Sequence, residues 1–399
     1  MRIVFVFCIV LLAVVSCADE RPELPDKGAA VADSLHGSVV VRITDKDIDG
    51  YSGNGIQNEY ARADAWNADG SYLVLRGNDG VPYLYRGTDY QLVQDLSWLV
   101  GGQELEPRWD ATDPSRFFWF SGTALVCFSV SADTGLVVHD FLLDFPGMSF
   151  VTTAVEGDAS LDRRYWCLMV CDSAFGLMAV CVYDRTLDSV VGLKTSFPGV
   201  VNHVTMDASG EHAVICYDTM PMQSFHRDFS HQVDFPHGAA GHSDIAQTAD
   251  GRDVMVLQNV ATDSISMIDL ETGVETGLQA IPFDVNPDIG MHISGNCSAK
   301  PGWVLVSTYG AENPPAGSVH SWMDNLLYML ELKPNPRIVR LAQTRCYTGV
   351  NPRSNYFAEA FASINRGGTK LVFGSNRGRY SPEDYTDAYE VRLPANWDQ

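Results

Sequence analysis

Helical periodicity is scarce in this chain of 399 residues, and so is positive charge: 27 Lys and Arg stand against 50 Asp and Glu, a formal charge of −23. The shortage of cations argues against nucleic acid as a partner, because that affinity rests on neutralising phosphates. Local catalytic signatures are missing as well. There is no Gly-x-Ser-x-Gly elbow, His-Glu-x-x-His pair, Walker loop or dinucleotide fingerprint. Ser/His/Asp hydrolysis is therefore left without local support. Of the nine cysteines, Cys8 and Cys17 belong to the first apolar run, and the odd seven that remain exclude a complete disulfide framework. Cys127, Cys167, Cys171, Cys181 and Cys216 fall inside apolar strand-like runs and are expected as buried thiols. Cys297 and Cys346 lie near loops, where pairing is open.

The first apolar run, MRIVFVFCIVLLAVVSC, is too short to span a bilayer comfortably and no stop-transfer charges follow it, so residues 1–17 read as an export signal. Val14-Val15-Ser16-Cys17 resembles a bacterial lipobox, with Cys17 as the lipidated residue; a plain secretory signal is the competing reading. Residues 18–36 are polar and rich in Pro and Ala, suiting a tether between membrane and folded body. The expected location is outside the cytoplasm: periplasmic or outer-membrane lipoprotein, or cell surface.

What the chain does contain is a repeat. Seven times, at intervals of roughly 40 to 67 residues, a short apolar run ends in a turn and restarts as a second apolar run. The clearest copies are HSDIAQTADGRDVMVLQ from His242, ADAWNADGSYLVLRG from Ala63 and FASINRGGTKLVFGSN from Phe361. Strand-like alternation continues between the copies, which predicts one all-β domain over 37–399: a seven-bladed β-propeller of four-stranded blades. The last strand-like run is YEVRLP (Tyr389 to Pro394), with room for only a third strand in the last blade, so SVVVRITDKD (Ser38 to Asp47) is expected to supply the fourth and close the ring. The connections into the inner strands, and those between second and third strands, share one mouth of the channel. Long irregular stretches at 219–241, 310–325, 346–359 and 376–387 are placed there, where a ligand site is expected.

Aligning the inner strands puts His242, His292 and Glu359 in one slot, with Asp244, His203 and Arg108 two residues further in and Glu106 level with the first set. Three readings follow. His242, Asp244, His292 and Glu359 could hold one divalent metal, Mn, Zn or Ca by donor type. Alternatively His203 or His242 removes a proton, Tyr309 returns it and Arg108 neutralises a carboxylate, without a metal. Or the same residues bind a ligand without reacting on it. Trp322 could stack on a sugar ring beside His320 and Asp324. Arg353, Arg377, Arg379 and Tyr380 form a basic-aromatic patch, with Arg345 nearby, suited to forked recognition of an acidic glycan. His226, His231 and His237 lie in a stretch with no clear strand assignment.

The copies DIAQTADGRDVMVLQ and FASINRGGTKLVFGSN resemble the strand-turn-strand unit of TolB-type, WD40-like propellers. With histidines and a glutamate at the mouth, the chain resembles the oligogalacturonate lyases and other propeller polysaccharide lyases. That resemblance implies a Mn ion held by three histidines and a glutamine, with His242 and His292 the matching positions. Where a His-x-His pair would match, the chain has His242-Ser243-Asp244, and it has no clear counterpart of the glutamine. Ulvan-type propeller lyases, which use His, Tyr and Arg, match His203, Tyr309 and Arg108. The function expected is a carbohydrate-active, uronate-directed lyase acting by β-elimination on an acidic oligo- or polysaccharide. The alternative is a non-catalytic propeller that binds a glycan or a protein, and a lipid anchor at Cys17 would tie either one to a membrane.

Overall fold

The computed structural model describes residues 24–33, 35–99, 107–131, 135–237, 242–310, 321–348, 356–378 and 385–399. Cys17, Glu106, His320, Arg353, Arg379 and Tyr380 lie outside the described residues. Five four-stranded antiparallel sheets and one nine-stranded sheet make up the architecture. The nine-stranded sheet is two blades linked where the start of blade 7's third strand runs beside blade 1's inner strand, which gives the seven-bladed propeller that the repeats predict. The inner strands of blades 1 to 7 are Gly55–Gln57, Arg108–Trp109, Phe150–Thr152, Val201–Met206, Ser243–Gln247, Gly290–Ser294 and Ser363–Ile364.

Turn chemistry sets each blade's register. In blade 5 the run Thr248-Ala-Asp-Gly251 reverses the chain with Gly251 at φ +85°, and its amide donates to the Thr248 carbonyl at 2.9 Å. Such a φ suits glycine because it has no Cβ. The strands on either side, Ser243–Gln247 and Asp253–Asn259, then pair antiparallel with Ile245 opposite Met255. Seven apolar clusters follow among the described residues, each at a seam between adjacent blades. The largest joins Val254, Val256 and Ile265 of blade 5 to Met291, Val304 and Val306 of blade 6. Burial of each such side chain contributes about 1.5–3 kcal/mol, so cohesion passes from blade to neighbouring blade.

Closure occurs as expected, with one addition. Val39–Arg42 pairs antiparallel with the last strand, Thr386–Arg392, as the fourth strand of blade 7. Ala30–Ala32, read above as tether, adds a fifth strand on its outer side, Ala30 opposite Val41. Blade 7 is also joined directly to blade 1, because Thr386 and Asp387 run parallel to Gly55 and Ile56. A side chain at Gly55 would put its Cβ 1.8 Å from the Thr386 carbonyl oxygen, so this junction requires glycine. Beside it, Arg42 Nε donates to Asp387 Oδ2 at 2.8 Å with both side chains buried. Removing Asp387 takes away the buried partner and leaves the guanidinium with the more exposed Asp45, 2.9 Å from its Nη1. Asp387→Ala should therefore lose about 1–3 kcal/mol in urea unfolding, and Gly55→Ala should also lower the midpoint. Unchanged midpoints in both would mean that this junction does not hold the ring.

Candidate active site at the channel mouth

A radial ring leaves its axis open, and here blade 1 fills it. Its inner strand pairs as far as Gln57, breaks off, and resumes at Trp66 opposite Leu73. The residues between, Asn58 to Ala65, cross the channel and are buried apart from a partly exposed Tyr60. Asn58 Nδ2 donates to the Phe361 carbonyl, Asn296 Nδ2 to the Arg62 carbonyl at 3.0 Å, and Ser363 Oγ to the Ala63 carbonyl at 2.6 Å. Contacts to blades 6 and 7 thus replace the sheet bonds that the broken strand gives up.

Arg62 lies at the centre of the crossing. Its guanidinium meets Glu156 Oε2 at 3.2 Å, His203 Nε2 at 2.7 Å and Ser243 Oγ at 3.2 Å, which ties blade 1 to blades 3, 4 and 5. Glu156 comes from a second break, in blade 3, where Ala154 and Val155 take φ of +59° and +69°. Positive φ is costly for a β-branched residue and tends to mark places where geometry serves a site. Burial, reinforced by the Arg62 charge, holds His203 well below its ordinary pKa, so that ring is neutral.

On the mouth side of this crossing lies a hydrogen-bonded Tyr–His–Tyr group. Tyr60 Oη is 2.6 Å from His242 Nδ1, and Tyr309 Oη is 3.1 Å from His242 Nε2. A neutral imidazole has one donor and one acceptor nitrogen, so one phenol donates to the ring and the other accepts from it. His292 packs against the same group, 4.3 Å from the His242 ring and stacked on Tyr309 at 4.9 Å. Beside them opens a pocket of about 270 Å³ lined by Glu156, Asn202, His203, Tyr217, His242 and Ser243.

The remaining expected site residues lie elsewhere. Asp244 faces the far side of the crossing, in a small cavity of about 60 Å³ with Asp158, Arg163 and Arg366, and accepts from the Gly295 amide at 2.7 Å. Burial lifts its carboxyl to about 7, against the pull of Arg62. Arg108 is committed to the seam of blades 2 and 3, with Nε 3.2 Å from Asp158 Oδ1. Trp322 sits on the outer seam of blades 5 and 6, under Arg340 and near Gln279. Arg377 is buried, with its guanidinium over the Tyr389 ring at 5.5 Å. Within 219–241, Gln223–His226 and Gln232–Asp234 are blade strands, so His226 and His231 reach the opposite rim and not the mouth. Cys297 and Cys346 are both free thiols, and Cys127 is only half-buried, unlike the other strand cysteines.

As a metal centre, the expected set does not close. His292 Nε2 and Glu359 Oε2 approach to 3.4 Å, but both His242 nitrogens meet tyrosine hydroxyls and Asp244 is beyond the crossing. Among the described residues, three ligand atoms come within 4.8 Å of one another at His212, His226 and Glu271, and at Asp207, His212 and Asp253, away from the mouth. The mouth residues that sequence reasoning missed are Tyr60, Arg62 and Glu156. The signal for the first two was the surplus of residues in GIQNEYARADAW, more than one inner strand accommodates.

The class defined by this fold is the seven-bladed propeller of WD40-like type. Among solved structures, the chain is similar to an oligogalacturonate lyase in complex with manganese (16% identity, TM-score 0.61, covering 93% of this chain and 97% of that one). It is also similar to the oligogalacturonate lyase of Vibrio parahaemolyticus (13%, TM-score 0.63, 92% and 97%) and to the WD40 repeats of RRP9 (11%, TM-score 0.52, 92% and 100%). No protein-family model and no curated protein matches the sequence.

His292 gives this site a pH signature. Its ring is buried and makes no hydrogen bond, with only the Glu359 carboxylate 3.4 Å from Nε2, and burial with the nearby Arg62 charge pushes its pKa from 6.5 down to about 3. Between those values the unfolded chain takes up a proton that the folded chain does not, so stability falls as the pH drops through that window. The slope is at most about 1.4 kcal/mol per pH unit. His292→Phe should remove this component. Its melting temperature relative to the parent should rise steadily from pH 7 to pH 4, and parallel curves would show that His292 does not titrate as described.

Proposed function

We propose that the chain is a carbohydrate-active propeller enzyme that cleaves uronate-containing oligo- or polysaccharides by β-elimination at the plugged mouth, without a metal in the chemical step. The observation that carries the reading is the Tyr60–His242–Tyr309 group, whose His242 lines an open pocket beside a buried guanidinium. The fold that this chain shares with two oligogalacturonate lyases supports the substrate class.

In the tautomer with Nδ1–H donating to Tyr60, His242 Nε2 accepts the Tyr309 hydroxyl proton. The Tyr309 oxygen then takes the proton from C5 of the uronate as its own proton passes to His242. The C5–H electrons form the C4=C5 double bond, the C4–O bond breaks, and the leaving oxygen takes a proton from Tyr309, which His242 re-protonates. Arg62 supplies positive potential on the floor, where charge develops on the uronate carboxylate. An exported location, with or without lipid at Cys17, belongs to the same proposal, since such polymers are met outside the cell.

Incubation with pectic, alginate and ulvan oligosaccharides should produce ultraviolet absorbance from the new double bond. Tyr309→Phe and His242→Ala should each reduce the rate by about 10²–10⁴-fold, while Trp322→Phe, on the outer seam, should leave it unchanged. Failure to generate absorbance from any uronate polymer, with glycan binding retained, would instead support a binding module.

A further inference from the structure

The rim opposite the mouth carries a side-chain cluster that the proposed reaction does not use. His212 and His226 face each other across neighbouring strands of blade 4, in register. His231 follows in the next turn, with its ring 4.9 Å from that of His226. Glu271, in a turn of blade 5, reaches over to all three. Its Oε2 lies 2.9 Å from His212 Nε2 and 3.0 Å from His226 Nε2, and its Oε1 lies 4.0 Å from His231 Nε2. His226, His231 and Glu271 are close to half exposed, so a small ion reaches the group from solvent.

Two features distinguish the cluster from an ordinary surface ion pair. First, two imidazole Nε2 atoms converge on one carboxylate oxygen, and His212, His226 and Glu271 can each place one ligand atom within 4.8 Å of the others. Second, His212 is held from behind: its Nδ1 lies 2.7 Å from Oδ2 of Asp207, a fully buried carboxylate. A carboxylate on the far nitrogen fixes the tautomer and turns Nε2 outward, the usual support of a metal-binding histidine. Imidazole and carboxylate donors suit zinc, at about 2.0–2.2 Å from each ligand atom.

We propose that His212, His226 and Glu271, with His231 as the adjoining fourth donor, bind one zinc ion that clamps blade 4 to blade 5. The ion takes the place of the hydrogen bonds Glu271 now makes, and Glu271 draws back by a few tenths of an ångström to admit it. The clamp is separate from the mouth, so it stands whether or not the elimination chemistry does.

The test uses the full chain, stripped with EDTA, dialysed and titrated with Zn²⁺ by calorimetry. One equivalent should bind and raise the melting temperature by roughly 2 °C or more. Co²⁺ in its place should give the intense visible bands of a four-coordinate site, without thiolate charge-transfer bands. His226→Ala and Glu271→Gln should each weaken binding at least about tenfold, the loss of one ligand being worth about 1.4 kcal/mol or more. His242→Ala at the mouth should not alter it. No zinc binding, thiolate bands, or binding that is insensitive to both rim variants or lost in His242→Ala would overturn the proposal.

Discussion

Sheets set radially around an axis bury their faces against one another but not the axis itself. Whatever occupies that axis must satisfy its own backbone, because no strand there can pair on both sides. Here the solution is an excursion of blade 1, and its one cation, Arg62, takes contacts from blades 3, 4 and 5. A guanidinium so deeply buried is tolerated only with a carboxylate and further acceptors in place. Glu156, His203 and Ser243 are therefore fixed by the need to satisfy Arg62 before they are fixed by any substrate.

The division of the channel follows from the same crossing. His242 and Asp244 share one face of one strand, two residues apart, yet one opens on the mouth and the other on the chamber beyond. Desolvation acts differently on the two types of group. It keeps His203 and His292 neutral and raises the Asp244 carboxyl, so the buried axis holds fewer charges than its composition suggests.

The ring was readable from the sequence because its signals are local. Turns such as Thr248-Ala-Asp-Gly251 recur with apolar runs on both sides, and the unfinished last blade pointed to Ser38 to Asp47, of which Val39–Arg42 forms the closing strand. Register alone also placed His242 and His292 together. It failed at Tyr60, Arg62 and Glu156, because alternation along a strand carries no information about a strand that breaks and leaves its sheet. Asp244 was misplaced for the opposite reason: its strand is regular, but the object dividing the channel comes from another blade. His226 and His231 were obscured by shortness, since Gln223–His226 and Gln232–Asp234 are too brief and too polar to show a period.

The pairing of Arg42 with Asp387 spans 345 residues of sequence. During synthesis the segment Val39–Arg42 therefore emerges early, with only Ala30–Ala32 beside it, and its other edge stays open until Thr386–Arg392 has left the ribosome. Each blade in between can settle against the one before it, but the ring cannot become a ring until its two ends meet. Contacts of such long range slow folding, and a waiting strand edge is where a growing chain is open to the wrong partner. That strand is only four residues long and ends on a charged arginine, which makes it a poor template for strangers and a selective one for the strand that carries Asp387.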